Sequence, residues 1–329
     1  MSRASGGELN VRATGSKWRI AAVLVIACAG VASLASAAEY PTKPINLYIG
    51  SAPAGSTDVL GRVLAKTLQQ ALGQPVIVDN RTGAGGGLMA TRLQHSPADG
   101  YTLGMAISQA YSGNPVIMPA ATKYTVGDFT HLASVSKGQC ALVTSSEKPY
   151  KTLADVVEAA KHGASPVYAS QSPLTRVVAD FIAKVAGVKF KVITVQGGGE
   201  MMQAILGGHA DFGFSGGPHV DFVKAGRMRV LASAEGARLA TSPDVPTLRE
   251  LGYDIASCSV FVVSAPPNLP ADVRNRLSQG LKSAIESPDM RALIQSLRYP
   301  EYYLGPAEVT QVLEAEAATL SRAIARIKE

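Results

Sequence analysis

The run Gly213-Phe214-Ser215-Gly216-Gly217 carries the spacing in this chain with the most reactive potential. It matches Gly-x-Ser-x-Gly, the nucleophile elbow in which a sharp strand-to-helix turn presents a serine hydroxyl for attack. Such a serine needs a base to take its proton, and an acid and a histidine are then expected downstream. The last histidine is His219, only four residues on, and the terminal third of the chain has none. Ser215 is therefore expected to contact a ligand or close a plain turn, with a serine hydrolase as the lesser alternative. The histidines His95, His131, His162, His209 and His219 show no ligand spacing, and the cysteines form no Cys-x-x-Cys pair. Scattered surface histidines, no metal and no cofactor are the expectation.

A different chemistry is written in four turns rich in glycine and hydroxyl groups. They are Ala54-Gly55-Ser56-Thr57-Asp58, Gly83-Ala84-Gly85-Gly86-Gly87, Ser170-Gln171-Ser172 and Gly197-Gly198-Gly199. Each falls where a strand hands over to a helix, and in open α/β sheets ligands bind at those carboxyl ends of strands. Free N–H groups at helix starts favour an anion, glycine lets the backbone approach, and hydroxyls add neutral donors. One such turn is more simply a cap, since Ser56 or Thr57 and Ser172 are ordinary N-cap residues; four together point to a shared site. Asp58 has two readings of equal weight, complementing the helix dipole or accepting a hydrogen bond from ligand or water. A nucleotide is disfavoured. With Gly83 and Gly85 in place, the dinucleotide fingerprint needs glycine at position 88, which is Leu88, and no loop ends in Gly-Lys-Ser/Thr.

The elements that must carry these turns follow from hydrophobic period. Ile45, Leu47 and Ile49 alternate as a strand, and Leu60, Leu64, Leu68 and Leu72 recur at helical spacing before the stop at Gly73 and Pro75. Strands are expected at 76–78, 102–106, 167–169, 190–195, 210–214, 230–234 and 260–263. Helices are expected from about Leu88, from Thr152 with Asp155 as a capping box to Lys161, from Leu174 to Gly187, at 200–206, at 271–287 and at 307–327. The alternation predicts a mostly parallel α/β sheet. The late strand and terminal helices are able to return to an earlier domain, although composition alone does not divide the chain.

The 329 residues allow two domains, and 47% hydrophobic with 17% charged residues is a globular balance. Arg3, Arg12, Lys17 and Arg19 precede a weakly polar run from Ile20 to Leu34 and then Ala35-Ser36-Ala37. This is the pattern of a cleaved signal peptide over residues 1–37, with lipidation at Cys28 disfavoured because the apolar run continues past it. Its removal leaves 27 bases against 24 acids, a formal +3 in place of +6, and no basic block that would suggest nucleic acid. Cys140 and Cys258 then remain in an oxidising compartment that permits a bridge, although spacing does not show that they meet.

Read in order, the turns resemble the tripartite tricarboxylate transporter receptors, the Bug family of solute-binding proteins. Tyr40-Pro41-Thr42-Lys43-Pro44-Ile45 looks like that family's opening. Ala52 to Asp58 and Val78 to Gly86 look like its first two ligand loops, and Pro97 to Leu103, Lys151 to Leu153, Leu206 to Asp211 and Pro243 to Thr247 continue the match. The departures are Ala54-Gly55 for a glycine pair, Thr82 where proline is common, and Val195-Gln196-Gly197 for an aromatic-glycine entry. The resemblance implies an α/β type II periplasmic-binding-protein fold, with two α/β domains and a ligand cleft between them that closes like a Venus flytrap. Domain 1 would be discontinuous, 39–139 plus 263–329, with 140–262 as domain 2. Ala54, Gly55, Ser56, Thr57 and Asp58 with Gly83, Ala84, Gly85 and Gly86 would grip one carboxylate of a small organic acid, Ser108 beside them. Ser170, Gln171, Ser172, Gly197, Gly198, Ser215 and Gly216 would close over the rest. A monomeric periplasmic receptor delivering its solute to integral membrane transporter subunits is the implied function; a sensory partner of a membrane kinase would share the fold.

Overall fold

A computed structural model describes residues 40–329. The expected leader, with Cys28 and the cleavage site, lies outside the described residues. The first sheet contains β1 (Ile45–Ile49), β2 (Val76–Asn80), β3 (Thr102–Ile107), β4 (Thr130–Lys137) and β10 (Val260–Ala265), in the order β2-β1-β3-β10-β4. The second contains β5 (Ala141–Ser145), β6 (Val167–Ser170), β7 (Lys191–Thr194), β8 (Phe212–Ser215) and β9 (Met228–Ser233), in the order β7-β6-β8-β5-β9.

Two sheets agree with the two α/β domains that the resemblance implies, whereas the mostly parallel pairing expected from the alternation is corrected to mixed pairing. In the first, β1 pairs in parallel with β2 and β3, whereas β10 is antiparallel to both β3 and β4. In the second, β6 is parallel to β7 and β8, whereas β5 is antiparallel to β8 and β9. The reversed strand is in each case the one that enters from the other sheet. β5 arrives from β4 through residues 138–140, and β10 arrives from β9 through residues 234–259. A parallel partner needs a crossover helix, which a strand entering directly from outside does not have. β10 starts at Val260, so the first sheet takes up the chain three residues before position 263.

Helices follow the periodicity. In α1 (Ser56–Leu72), Leu60, Leu64, Leu68 and Leu72 are buried, and Gly73 ends the helix in the left-handed conformation. That conformation is open to glycine at little cost and satisfies the last carbonyls. The other helices are α2 (Gly87–Gln94), α3 (Gly113–Ile117), α4 (Leu153–Lys161), α5 (Pro173–Ala186), α6 (Gly197–Leu206), α7 (His219–Lys224), α8 (Ala271–Ile285), α9 (Pro288–Ser296) and α10 (Pro306–Lys328). The capping box at Thr152 and Asp155 is formed in both directions, and Gly187 closes α5 as expected.

The last helix ties the layers together. Val309 and Leu313 of α10 join the first sheet's core with Met89, Leu93, Tyr111 and Val262. Further along, Ala323 and Ile327 pack with Leu142, Tyr168 and Phe212 of the second sheet and with Phe181 of α5. A helix of 23 residues runs about 35 Å at 1.5 Å per residue, enough to reach from one core to the other. Cys140 and Cys258 form a disulfide between the two crossing segments, and beside it the Gly138 N–H donates to the Ser259 carbonyl at 2.8 Å.

Candidate functional site

Two hollows of about 450 and 380 Å³ share Ile107, Gln171, Gly216 and Ser259. They lie where turns of the first sheet face turns of the second. Ser56 and Thr57 open α1, Ala84 and Gly85 precede α2, Ser172 to Thr175 open α5, and Gly198 and Gly199 open α6. Every side chain lining the two hollows is uncharged. Helix starts carry unsatisfied N–H groups and a positive dipole end, so a neutral wall of this kind can hold an anion. The apolar part of the lining includes Ile107, Met118, Leu174, Phe214 and Phe261.

The first turn is shaped by Asp58, which is buried at the start of α1. Its carboxylate accepts from the Ala54 N–H at 2.9 Å, Arg62 Nε at 2.9 Å and Asn80 Nδ2 at 2.8 Å. Burial by itself would raise this carboxyl, but the bonds from Arg62, Asn80 and Ala54 outweigh it and hold the carboxyl below its ordinary value. Asp58 therefore braces the turn, and it is not among the residues that line the two hollows. Ala54 sits at φ 64°, and neither it nor Gly55 lines the hollows, whereas Ser56 and Thr57 do.

In the second turn Gly83, Ala84, Gly85 and Gly86 all have positive φ. Such a run is rare outside glycine, and here it turns the backbone of residues 84 and 85 toward the hollow. Gly86 faces inward, where a Cβ would come within 3.0 Å of Ala110 Cβ. The Ala84 carbonyl accepts from Asn114 Nδ2 at 2.8 Å.

Several hydroxyls expected to face a ligand are engaged elsewhere. Ser108 is fully buried, and its Oγ accepts from the Val260 N–H at 3.3 Å, while Ile107 and Gln109 line the hollow beside it. The Ser172 hydroxyl caps α5 by accepting from the Thr175 N–H, and Ser170 Oγ meets Thr175 Oγ1 at 3.1 Å. Ser108 and Ser170 lie outside the lining of the two hollows, whereas Ser172 both caps α5 and lines the first hollow; a serine is equally suited to cap or to ligand, and only its neighbours decide. Gln171 lines both hollows, with its Nε2 donating to the Phe214 carbonyl at 2.8 Å. Gly197 has φ 86°, and Gly198 faces the Gln171 side chain.

Ser215 and Gly216 line the second hollow, and Ser215 is wholly buried. His219, at the first position of α7, folds back so that its Nδ1 lies 2.9 Å from Ser215 Oγ. Its other ring nitrogen, Nε2, has no hydrogen-bond partner among the described residues. Burial lowers the His219 pKa to about 4. The expectation of surface histidines is corrected here and at His131, which is buried between Ser264 Oγ and the Val126 carbonyl. Among the described residues no three His, Cys, Asp or Glu side chains gather as a metal site would require.

Sequence reasoning missed Ser259, Phe261 and Tyr299, which also line the site. Ser259 and Phe261 belong to the segment that re-enters the first sheet. Tyr299 comes from the connector between α9 and α10. None lies in a glycine-rich turn, so no local pattern marked them.

Residues 60–328 match a family described as tripartite tricarboxylate transporter family receptor. A UPF0065 protein of the gbd 5′ region of Cupriavidus necator is 32% identical over 310 residues, 92% of this chain and 93% of that protein. Among solved structures, a TctC solute binding protein from Polaromonas superposes with a TM-score of 0.75 at 23% identity, covering 87% of this chain and 99% of that one. R. palustris Rpa4515, solved with adipate, superposes with a TM-score of 0.74 at 21% identity, covering 88% and 99%. The shared architecture is the two-domain α/β fold of periplasmic binding proteins.

Proposed function

This chain belongs to the tripartite tricarboxylate transporter receptor family, and we propose that it is a periplasmic receptor that captures a small organic acid and releases it unchanged to integral membrane transporter subunits. The observation that carries the reading is the pair of contiguous hollows lined by the starts of four helices and by no charged side chain. One carboxylate would rest on the amides and hydroxyls of Ser56 and Thr57 and on the backbone of Ala84 and Gly85. Gln171, Gly198 and Gly216 would close on the remainder. An adipate ligand in one structural neighbour is in keeping with a site of this class. Neutral donors suit a receptor, because release does not require separating a buried ion pair.

Closure would bring together a lobe built on the first sheet, β1 to β4 with β10, and a lobe built on the second, β5 to β9, bending at the two crossing segments. The chain would act as a monomer, exported by its leader.

The pairing of Ser215 with His219 favours a second reading, hydrolysis. Ser215 exposes no surface, however, and His219 has no acid on its far nitrogen and a pKa lowered to about 4, which makes it a weak base. Titration calorimetry and thermal shift against malate, adipate, citrate and aromatic acids test the proposal. A saturating one-to-one ligand recovered unchanged by mass spectrometry is the expected result. Burst release from an activated ester, abolished in Ser215→Ala, would overturn it.

A further inference from the structure

The connector between α9 and α10, residues 297–305, forms a wall of the site that no turn motif marks. It is stitched to β4 and to the chain just beyond it. Ser134 Oγ donates to the Tyr302 carbonyl at 2.5 Å and accepts from the Leu304 N–H at 2.8 Å. Ser136 Oγ donates to the Pro300 carbonyl at 2.7 Å, and Gln139 Nε2 donates to the Arg298 carbonyl. These bonds hold the backbone on both sides of Tyr299, whose ring packs against Phe261 with centroids 5.4 Å apart.

Tyr299 reaches the turns of both sheets. Its hydroxyl donates to Ser56 Oγ at 3.2 Å, on the first turn of α1. On its other side the ring abuts Gly217, where a Cβ would lie only 2.9 Å from the Tyr299 ring carbon Cε1. Both Tyr299 and Ser56 line the same hollow. A serine hydroxyl has one proton and two lone pairs. With a lone pair taken by Tyr299, the Ser56 proton is left to point at a ligand oxygen.

We propose that Tyr299 is a specificity-determining residue of this site: its hydroxyl sets Ser56 as a donor to the ligand's acid group, and its ring limits the length of acid admitted. The inference rests on the reading of the hollows as an organic-acid site. Ring and hydroxyl make separable contributions, because Tyr299→Phe removes only the hydroxyl and Tyr299→Ala removes both.

The test measures malate and adipate affinity by calorimetry for the wild type, Tyr299→Phe, Tyr299→Ala, Ser56→Ala and the Ser56→Ala/Tyr299→Phe double variant, with thermal unfolding confirming that each folds. Tyr299→Leu replaces the alanine variant should that one unfold. Tyr299→Phe should weaken the captured acid by about twofold to tenfold, the range of one neutral hydrogen bond. The double variant should bind no more weakly than Ser56→Ala alone, a non-additivity that a purely structural role would not produce. Tyr299→Ala should raise adipate affinity relative to malate by about tenfold or more, since adipate is two chain carbons longer and one methylene alone is worth about that much. Wild-type affinity in Tyr299→Phe, or simple additivity in the double variant, would overturn the donor role; an unchanged adipate-to-malate ratio in Tyr299→Ala would overturn the steric one. A wild type that binds none of malate, adipate, citrate and the aromatic acids would instead overturn the organic-acid reading.

Discussion

Ala54 holds a left-handed backbone at φ 64° so that its N–H can reach the Asp58 carboxylate. An alanine in that region costs about 1–2 kcal/mol that glycine avoids. Ala54→Gly also gives the unfolded chain more freedom, worth about 0.4–1 kcal/mol in the other direction. The net expectation is a gain between about 0 and 1.6 kcal/mol, read as an equal or higher urea midpoint, with the Asp58 bonds kept. His131 tests the opposite kind of burial. Its ring is enclosed by Phe129 and Tyr111 and bonded to Ser264 and Val126, and burial lowers its pKa to about 4. The unfolded chain binds this proton more readily than the folded one, so stability is complete above pH ~6.5 and is lost as pH falls toward 4. His219 has the same sign, whereas burial raises the Glu316 carboxyl and so favours the folded state on the acid side. Urea midpoints from pH 4 to 8 should fall on the acid side in the wild type. The slope should be shallower in His131→Gln, and an equal slope would show that His131 does not carry it.

At the scale of elements, the two crossing segments are joined by the disulfide and by several hydrogen bonds, among them Gly138 N–H to the Ser259 carbonyl, Ala234 N–H to the Cys140 carbonyl and Thr241 Oγ1 to Gln139 Oε1. The bridge links residues 118 apart in sequence, and closing a loop of that size removes unfolded-state entropy worth about 4–5 kcal/mol. Replacing both cysteines, Cys140→Ser with Cys258→Ser, should therefore cost roughly 4 kcal/mol in chemical denaturation. Reductant should produce the same loss in the wild type and none in the double variant. β4 and β5 were not evident from hydrophobic period. β4 reads Thr-His-Leu-Ala-Ser-Val-Ser-Lys and is buried on both faces along most of its length. Its serines are buried because they bond the 297–305 connector, a partner nearly 170 residues away. A rule that assigns polar residues to the surface misses such a strand. β5 is a short apolar run, and length and period alone do not separate it from a buried loop.

For the whole molecule, both cores share α10, and the second sheet is reached through only two segments. Bending at those segments would change the separation of the turns that line the hollows, and the last turns of α10 would have to move with the second core or shift against it. Small-angle scattering is expected to show a smaller radius of gyration when adipate or another captured acid saturates the protein. An unchanged radius at saturation would mean that capture proceeds without closure.

Local chemistry was sufficient to determine the strand-to-helix turns, the caps at Thr152 and Gly187, the core stripe of α1 and the export leader as an expectation, because each depends on neighbours within a few residues. Tertiary structure decided the rest. It split one apparent alternation into two mixed sheets, because a strand's direction depends on where it enters. It brought Cys140 to Cys258 and Tyr299 to Ser56 across long separations, and it gave Asp58, Ser108 and Ser170 bonds within the fold. Whether a polar group faces a ligand or the fold depends on which partners burial places within about 3 Å of it, and the chain's local order does not specify those partners.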